Sequence, residues 1–322
     1  MKNFTITANY LAVPRKKSNF ASQENEYLMQ ELTPQDLKEW KHIIIDVLRE
    51  FQDICHRNGL TYYGIGGTAI GAVRHQGIIP WDDDIDVGMP RPDFDRFIEI
   101  CRTTDLGNYE LVAADTHADY NLSFPKFCSR RTTLIERWDT PCVIGLFIDV
   151  FPLDSTSEDP HEVERLVKKY RKLRNRYEAI CTHNTFWQYL SLLKDPHEWG
   201  RFVTKTIGFI AKNTFKSYLL NKMNAISSRY PYGSTSKVIN YGGAYGMREL
   251  FDKELLEGNA VNVPFENITI DLMPQYDAYL RGIYGDYMKM PPEDKRVAHH
   301  LKAFYDLHKR VTPPLNSLTV NL

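Results

Sequence analysis

Apolar residues recur at helical spacing after a polar N-terminal stretch. Thr33, with Asp36 three positions later, is typical of a helix-opening cap, and apolar residues then follow every three or four positions as far as Phe51. Asn58-Gly59 predicts the end of this helix, because glycine readily adopts the left-handed conformation that stops it. Residues 1–31 lack such a pattern, and we expect them to form a loose arm.

Short apolar segments punctuated by glycine and proline follow this helix. They predict a strand at Leu60–Gly64, a brief helix at Ala69–His75, a strand at Asp82–Val87, a helix at Asp93–Cys101, and strands at 109–113, 122–128 and 144–150. The alternation indicates an α/β (α+β) fold in which a mixed sheet and flanking helices form a core over residues 32–158.

Residues 161–229 differ in composition from the rest of the chain. They contain 14 Lys or Arg and five Asp or Glu, whereas the whole chain balances 40 basic against 41 acidic side chains. Helical spacing dominates here and predicts an inserted helical subdomain, residues 159–235, with a basic face. Such a face is typical of solvated helices, but it also suits an anionic glycan or peripheral contact with an anionic membrane. We expect residues 236–322 to complete the core.

Composition excludes several classes of protein. The 322 residues are 43% hydrophobic and 25% charged, as in soluble globular proteins, and the net charge of -1 argues against a nucleic-acid partner. The five cysteines are scattered and form no C-x-x-C pair, so neither a disulfide framework nor a zinc knuckle is predicted. No apolar run has the length of a signal peptide or a membrane span, which predicts a cytoplasmic protein.

Four carboxylates lie within five residues, from Asp82 to Asp86. On a strand, Asp84 and Asp86 would point the same way while Ile85 faces the core. Like charges so close together are costly unless a cation lies between them. Carboxylate oxygens suit Mg²⁺, or Mn²⁺ in its place. The alternative is a solvated acidic turn.

The segment Gly66-Gly67-Thr68 precedes these carboxylates. Glycines after a strand allow close backbone approach, and amides at a following helix N-terminus attract phosphate; a plain structural turn is the alternative. Together with the carboxylates, the segment resembles the signature of the nucleotidyltransferase fold. That resemblance implies a third carboxylate on a later strand, for which Asp149 fits. Asp154 is a competing candidate, but its position after Pro152 predicts a turn or a helix cap.

Longer blocks of the chain closely resemble the LicD family. The blocks are YYGIGGT (62–68), GAVRH (71–75), IPWDDDID (79–86), FPK (124–126), FIDVFPLD (147–154) and YGDYM (284–288). LicD-like enzymes are phosphotransferases that move phosphocholine from CDP-choline to a sugar hydroxyl of a surface glycan, teichoic acid or lipooligosaccharide. The related fukutin-type enzymes use CDP-ribitol.

The resemblance implies roles for individual residues. Asp84 and Asp86 would hold the metal ion against the diphosphate of a CDP-activated donor. Asp149 would complete the metal site or accept the proton of the attacking hydroxyl. Arg74 and Lys126 lie in family-like blocks and are candidates for neutralising phosphate, although a lone cation is more often an ion-pair partner or a solvated residue.

Two other functions use the same carboxylates. A small-molecule nucleotidyltransferase would transfer a nucleoside monophosphate and release pyrophosphate rather than CMP. A catalytically silent nucleotide-binding protein would release neither.

Overall fold

The computed structural model of the protein describes residues 30, 32–137, 139–140, 142–182, 190, 192–194, 196–296 and 302–312, without the side chains of 209 and 211–213. The predicted N-terminal arm therefore lies outside the described residues, apart from Gln30. The helices are α1 (Pro34–Asn58), α2 (Gly66–His75), α3 (Arg91–Thr103), α4 (Pro160–Cys181), α5 (Trp199–Ser227) and α6 (Tyr276–Tyr284). The strands are β1 (Tyr63–Gly64), β2 (Asp86–Pro90), β3 (Tyr109–Val112), β4 (Lys126–Ser129), β5 (Thr133–Ile135), β6 (Phe147–Thr156), β7 (Lys237–Ile239), β8 (Leu250–Asp252), β9 (Val261–Phe265), β10 (Ile268–Leu272) and β11 (Phe304–Asp306).

Helix α1 begins and ends where the sequence predicts. The Asp36 amide donates to Thr33 Oγ1 at 3.1 Å, and the Thr33 amide donates back to the Asp36 carboxylate at 3.3 Å. At the other end Gly59 has φ 60°, the left-handed conformation. One face of α1, including Trp40 and Phe51, is buried in the main apolar core. The helix packs against β4 and β6 and so supports the middle of the sheet.

A seven-stranded mixed sheet lies at the centre of the fold, as predicted. Five strands run in the order β1-β2-β6-β4-β3, and β7 joins β6 and β8. The pair β2–β6 is parallel, while the other pairs of this sheet are antiparallel. The parallel pair brings together two segments that are distant in sequence, and both carry predicted site residues.

The acidic segment departs from the predicted strand. Strand β2 begins only at Asp86, so residues 82–85 form a connection before it. Asp83 explains the difference: its carbonyl accepts a hydrogen bond from Trp40 Nε1 at 2.8 Å, and its buried carboxylate pairs with Lys302. These contacts keep residues 82–85 from forming a strand with side chains on alternating faces, although Ile85 is buried as expected.

The basic segment contains two helices, α4 and α5. They pack against each other and form a second buried apolar cluster, which also includes Ile239 and Tyr241. Helix α4 is further fixed to the body of the protein by Tyr177, whose hydroxyl donates to the Tyr120 carbonyl at 2.9 Å. Within the described part of the chain, no helix combines the length and apolarity that crossing a membrane would need.

Candidate active site

Asp86 and Asp149 stand side by side on the parallel strands β2 and β6. They are register partners, and the Asp149 amide donates to the Ile85 carbonyl at 2.8 Å. Neighbouring strands lie about 4.8 Å apart, so paired positions bring their side chains close together. The sheet thus joins one carboxylate from the acidic segment with one from the FIDVFPLD block.

Asp84 completes a cluster of three carboxylates. One oxygen from each of Asp84, Asp86 and Asp149 can be chosen so that all three lie within 4.8 Å of one another. Asp149 is buried, whereas the other two are half-buried. A second group with the same spacing consists of Asp82, Asp83 and Asp84, so Asp84 belongs to both. The structure therefore brings together the three carboxylates that the sequence singles out.

The glycine segment forms the first turn of α2 rather than a separate turn before it. Gly66 has φ +57°, and a β-carbon there would lie 3.3 Å from Asp86 Oδ2. A β-carbon on Gly67 would lie 2.9 Å from Asp82 Oδ2. Thr68 Oγ1 accepts a hydrogen bond from the Asp86 amide at 2.8 Å. The first turn of α2 therefore packs directly on the carboxylates, and a side chain at either glycine would crowd one of them.

Lys126 extends the row of charged residues by one strand. It lies on β4 as the register partner of Asp149, and its Nζ lies 2.8 Å from Asp149 Oδ1 and 3.6 Å from Glu136 Oε1. Burial disfavours the ammonium, but the two carboxylates outweigh burial and raise the pKa of Lys126 above its ordinary value. Lys126 is thus a buried ion-pair partner of Asp149, and its contact with phosphate stays a prediction.

Arg74 connects α2 to the C-terminal part of the chain. Its Nη1 donates to the carbonyls of Tyr287 at 2.7 Å and Lys289 at 3.4 Å, and its Nε contacts His75 Nε2 at 3.0 Å. These contacts join the GAVRH and YGDYM blocks in space. The neutralisation of phosphate by Arg74 stays a prediction.

The turn or cap predicted at Asp154 is wrong. Asp154 lies within β6, almost fully buried, and its carboxylate accepts two hydrogen bonds from Arg91, at 2.6 Å from Nε and 2.9 Å from Nη2. Asp149 and Asp154 are an odd number of residues apart, so they point to opposite faces of one strand. Asp154 is therefore a structural ion-pair partner on the other face of the sheet.

A tyrosine pair adjoins the carboxylates and was missed at the sequence level. Tyr284 Oη lies 3.5 Å from the position of a β-carbon on Gly66, and the Tyr284 ring meets Tyr245 edge-to-face with centroids 5.1 Å apart. Tyr245 is 44% exposed. Burial, followed by neighbouring groups that include Asp86, holds the pKa of Tyr284 well above its ordinary value, so its hydroxyl remains protonated. The signals in the sequence were the YGDYM block, which contains Tyr284, and the glycines around Tyr245.

Glu249 shapes the loop that carries Tyr245. Its buried carboxylate accepts a hydrogen bond from the Tyr245 amide at 3.1 Å, and burial raises its pKa to about 7. A β-carbon on Gly243 would lie 2.2 Å from Glu249 Oε1, so the loop closes around this carboxylate. Asn240 Oδ1 fixes the start of the same loop by accepting from the Gly242 amide at 3.0 Å.

Comparison with known proteins finds a family that is similar to part of this chain. Residues 59–177 match the profile described as "LicD/FKTN/FKRP, nucleotidyltransferase domain". This region contains the first turn of α2, the acidic segment, Lys126 and Asp149. Residues 59–177 of this chain therefore resemble the LicD family.

Proteins similar to this chain are found in bacteria. The lipopolysaccharide cholinephosphotransferase LicD of Haemophilus influenzae is 29% identical over 278 residues, which cover 84% of this chain and 98% of that protein. An uncharacterised protein of Rickettsia typhi is 39% identical over 57 residues, or 18% of each chain. An uncharacterised protein of Rickettsia prowazekii is 40% identical over 50 residues, 16% of this chain and 19% of that protein.

Proposed function

We propose that this protein is a metal-dependent phosphotransferase of the LicD type. It would move phosphocholine, or a related phospho-alcohol, from a CDP-activated alcohol such as CDP-choline to a sugar hydroxyl of a cell-surface glycan. The observation that carries the proposal is the cluster of Asp84, Asp86 and Asp149 packed against the first turn of α2. The Haemophilus relative, a cholinephosphotransferase of lipopolysaccharide, supports the transferred group and the glycan acceptor. A teichoic-acid-type acceptor and a cytoplasmic location stay predictions.

The three carboxylates suit Mg²⁺ or Mn²⁺. Their oxygens are hard ligands, close enough together to share one ion, and Asp84 and Asp86 are only half-buried. When bound, such an ion neutralises charge on the diphosphate and on the leaving phosphate. Asp84, Asp86 and Asp149 would hold it, and the buried ammonium of Lys126 would keep Asp149 ionised.

The remaining residues of the site would bind and orient the donor. Amides of Gly66, Gly67 and Thr68 lie at the N-terminus of α2, where phosphate is attracted, and Arg74 would add positive charge two turns later. The acceptor oxygen attacks the phosphorus that carries the alcohol, and the bond from this phosphorus to the CMP oxygen breaks. The hydroxyl proton would pass to Asp149 if Asp84 and Asp86 alone hold the ion; otherwise Asp149 completes the metal site.

The tyrosine pair supports choline as the transferred alcohol. Quaternary ammonium groups bind to the faces of aromatic rings, and Tyr245 presents an exposed ring next to Tyr284, which itself adjoins Gly66. A neutral polyol such as ribitol would gain no comparable attraction there. We therefore place the choline group of the donor against Tyr245.

The test is nucleotide release. The protein is incubated with Mg²⁺ or Mn²⁺, a panel of CDP-alcohols and a lipopolysaccharide or teichoic-acid acceptor, and CMP is quantified. We expect CMP with CDP-choline, its loss in Asp84→Asn and Asp149→Asn, and normal release from Asp53→Asn, which changes an exposed aspartate of α1. Pyrophosphate from CTP with no CMP from any CDP-alcohol would favour nucleotidyl transfer. Nucleotide binding without either product would favour the silent protein.

A further inference from the structure

Helix α5 exposes a row of apolar side chains. Trp199, Val203, Ile207 and Ile210 are 55%, 54%, 39% and 78% exposed. Their spacing of four, four and three residues places them on one side of the helix. Leu193 extends the row at its N-terminal end, because it is 47% exposed and its carbonyl accepts a hydrogen bond from Trp199 Nε1 at 3.2 Å. Large apolar side chains grouped in this way on a surface indicate an interaction site.

The opposite side of α5 packs on the rest of the protein. Lys205 is buried there and its Nζ donates to the Thr182 carbonyl at 3.0 Å, while Lys216 donates to the Ala118 carbonyl. A β-carbon on Gly208 would lie 3.0 Å from Ile180 Cγ2, so α4 and α5 are in close contact there. Two lysines of the basic segment are therefore used internally, and the apolar row points directly away from this packed side.

The neighbouring helix α4 exposes a row of basic side chains. Arg165, Lys169, Lys172 and Arg176 are all exposed, and their spacing of four, three and four residues places them along one side of α4. Residues 161–229 as a whole contain nine more basic than acidic side chains. This combination of exposed apolar and basic rows is the pattern of helices that lie in the interface of an anionic bilayer.

We propose that α4 and α5 dock this protein on the surface of an anionic lipid bilayer. Trp199, Val203, Ile207 and Ile210 enter the interfacial region, and the basic row of α4 contacts the acidic headgroups. A second copy of the chain is disfavoured as the occupant of this surface, because it would bring the same excess of positive charge against it. The inference does not rest on the proposed transfer reaction, since it uses none of the residues assigned to that reaction.

The experiment is vesicle flotation of the full chain. Phosphatidylcholine vesicles with and without about one third phosphatidylglycerol are compared at low and high salt. We expect binding only to the anionic vesicles, weakened by salt. Val203→Ser/Ile210→Ser should lower the partition coefficient about tenfold, and Lys169→Glu/Lys172→Glu should lower it by at least as much. CMP release with soluble substrates should not change in either variant.

Two matched controls change similar side chains elsewhere. Met290→Ser alters an exposed apolar residue outside the row, and Lys38→Glu reverses an exposed lysine of α1; both should float like the unmodified protein. Equal binding to neutral vesicles, no flotation at all, or equal losses in the controls would overturn the proposal. So would a dimer in light scattering that Val203→Ser/Ile210→Ser converts to a monomer, because the row would then be an interface between copies. Thermal unfolding of each variant verifies that it is folded.

Discussion

The ammonium of Lys126 lies 2.8 Å from Oδ1 of Asp149, and both side chains are buried. Removing one member of such a pair leaves the other charge buried without compensation, which typically costs about 3–5 kcal/mol. We therefore expect Lys126→Met to lower the free energy of unfolding by about this amount. Urea unfolding in the presence of EDTA measures the effect without a contribution from bound metal.

A double variant separates stability from chemistry at the same pair. Lys126→Met/Asp149→Asn removes both charges, so we expect it to regain most of the lost stability but to release no CMP. If the two single substitutions simply add in the double variant, the ion pair does not carry the stability assigned to it.

We expect activity to require Gly66 because Asp86 and Tyr284 lie so close to it, and not only because its backbone is left-handed. Gly66→Ala should cost about 1–2 kcal/mol for the left-handed conformation and should also reduce CMP release more than tenfold, since the new carbon crowds Asp86 and Tyr284. Gly107→Ala is the matched control, because Gly107 has φ +59° with open space around it. It should show a similar loss of stability with normal activity. Equal activity in the two variants would contradict the tight approach at Gly66.

The buried Glu249 predicts a specific dependence of stability on pH. Its pKa in the folded protein is raised to about 7 from an ordinary value of 4.5. The stability that it contributes is therefore fully present below pH 4.5 and is lost as the pH rises through about 7. The loss amounts to about 3 kcal/mol. Glu249→Gln should remove this pH dependence. The free energy of unfolding of the variant should therefore increase, relative to that of the unmodified protein, from pH 5 to pH 8.

Chemical denaturation at several pH values tests the prediction for Glu249. Glu257→Gln, at an exposed glutamate, is the matched control for the loss of a carboxylate. If the free energy of unfolding of Glu249→Gln differs from that of the unmodified protein by the same amount at every pH, the buried carboxyl does not titrate as described.

Tyr245 is expected to select the donor rather than to catalyse transfer. Tyr245→Ala should raise the KM for CDP-choline about three- to tenfold, the size of a cation–π contact, with a smaller effect on CDP-ribitol. Tyr245→Phe keeps the ring and should behave almost normally. Tyr218→Ala, at another exposed tyrosine, is the control. An equal increase for both donors would assign Tyr245 to a part of the donor other than choline.

Local sequence signals predicted the elements whose ends are fixed by local contacts. Thr33, Asp36 and Gly59 determine α1 among themselves, so its bounds could be predicted. The conformation of the acidic segment was harder to predict, because Asp83 is held by Trp40 and Lys302 from distant parts of the chain. Tertiary contacts of this kind override alternation and leave no local trace.

Some residues of the site could likewise be predicted from the sequence, whereas others could not. Asp84, Asp86 and Asp149 were identified from spacing and resemblance, and the structure groups them. The alternation of side chains along β6 would have placed Asp154 and Asp149 on opposite faces of the sheet. The prediction for Asp154 relied on Pro152 instead. Tyr284 and Glu249 could not be assigned, because only folding brings the C-terminal segments to the glycines of α2.

The parallel pairing of β2 with β6 has a consequence for the kinetics of folding. Asp86 and Asp149 are 63 residues apart in the sequence, and parallel strands cannot meet until the chain between them has crossed over. Contacts over such separations form slowly, because the chain entropy of the closed loop is lost before the contacts compensate it. In a refolding experiment, the helical signal should therefore return before metal binding, and recovery of activity would report the closure of this crossover.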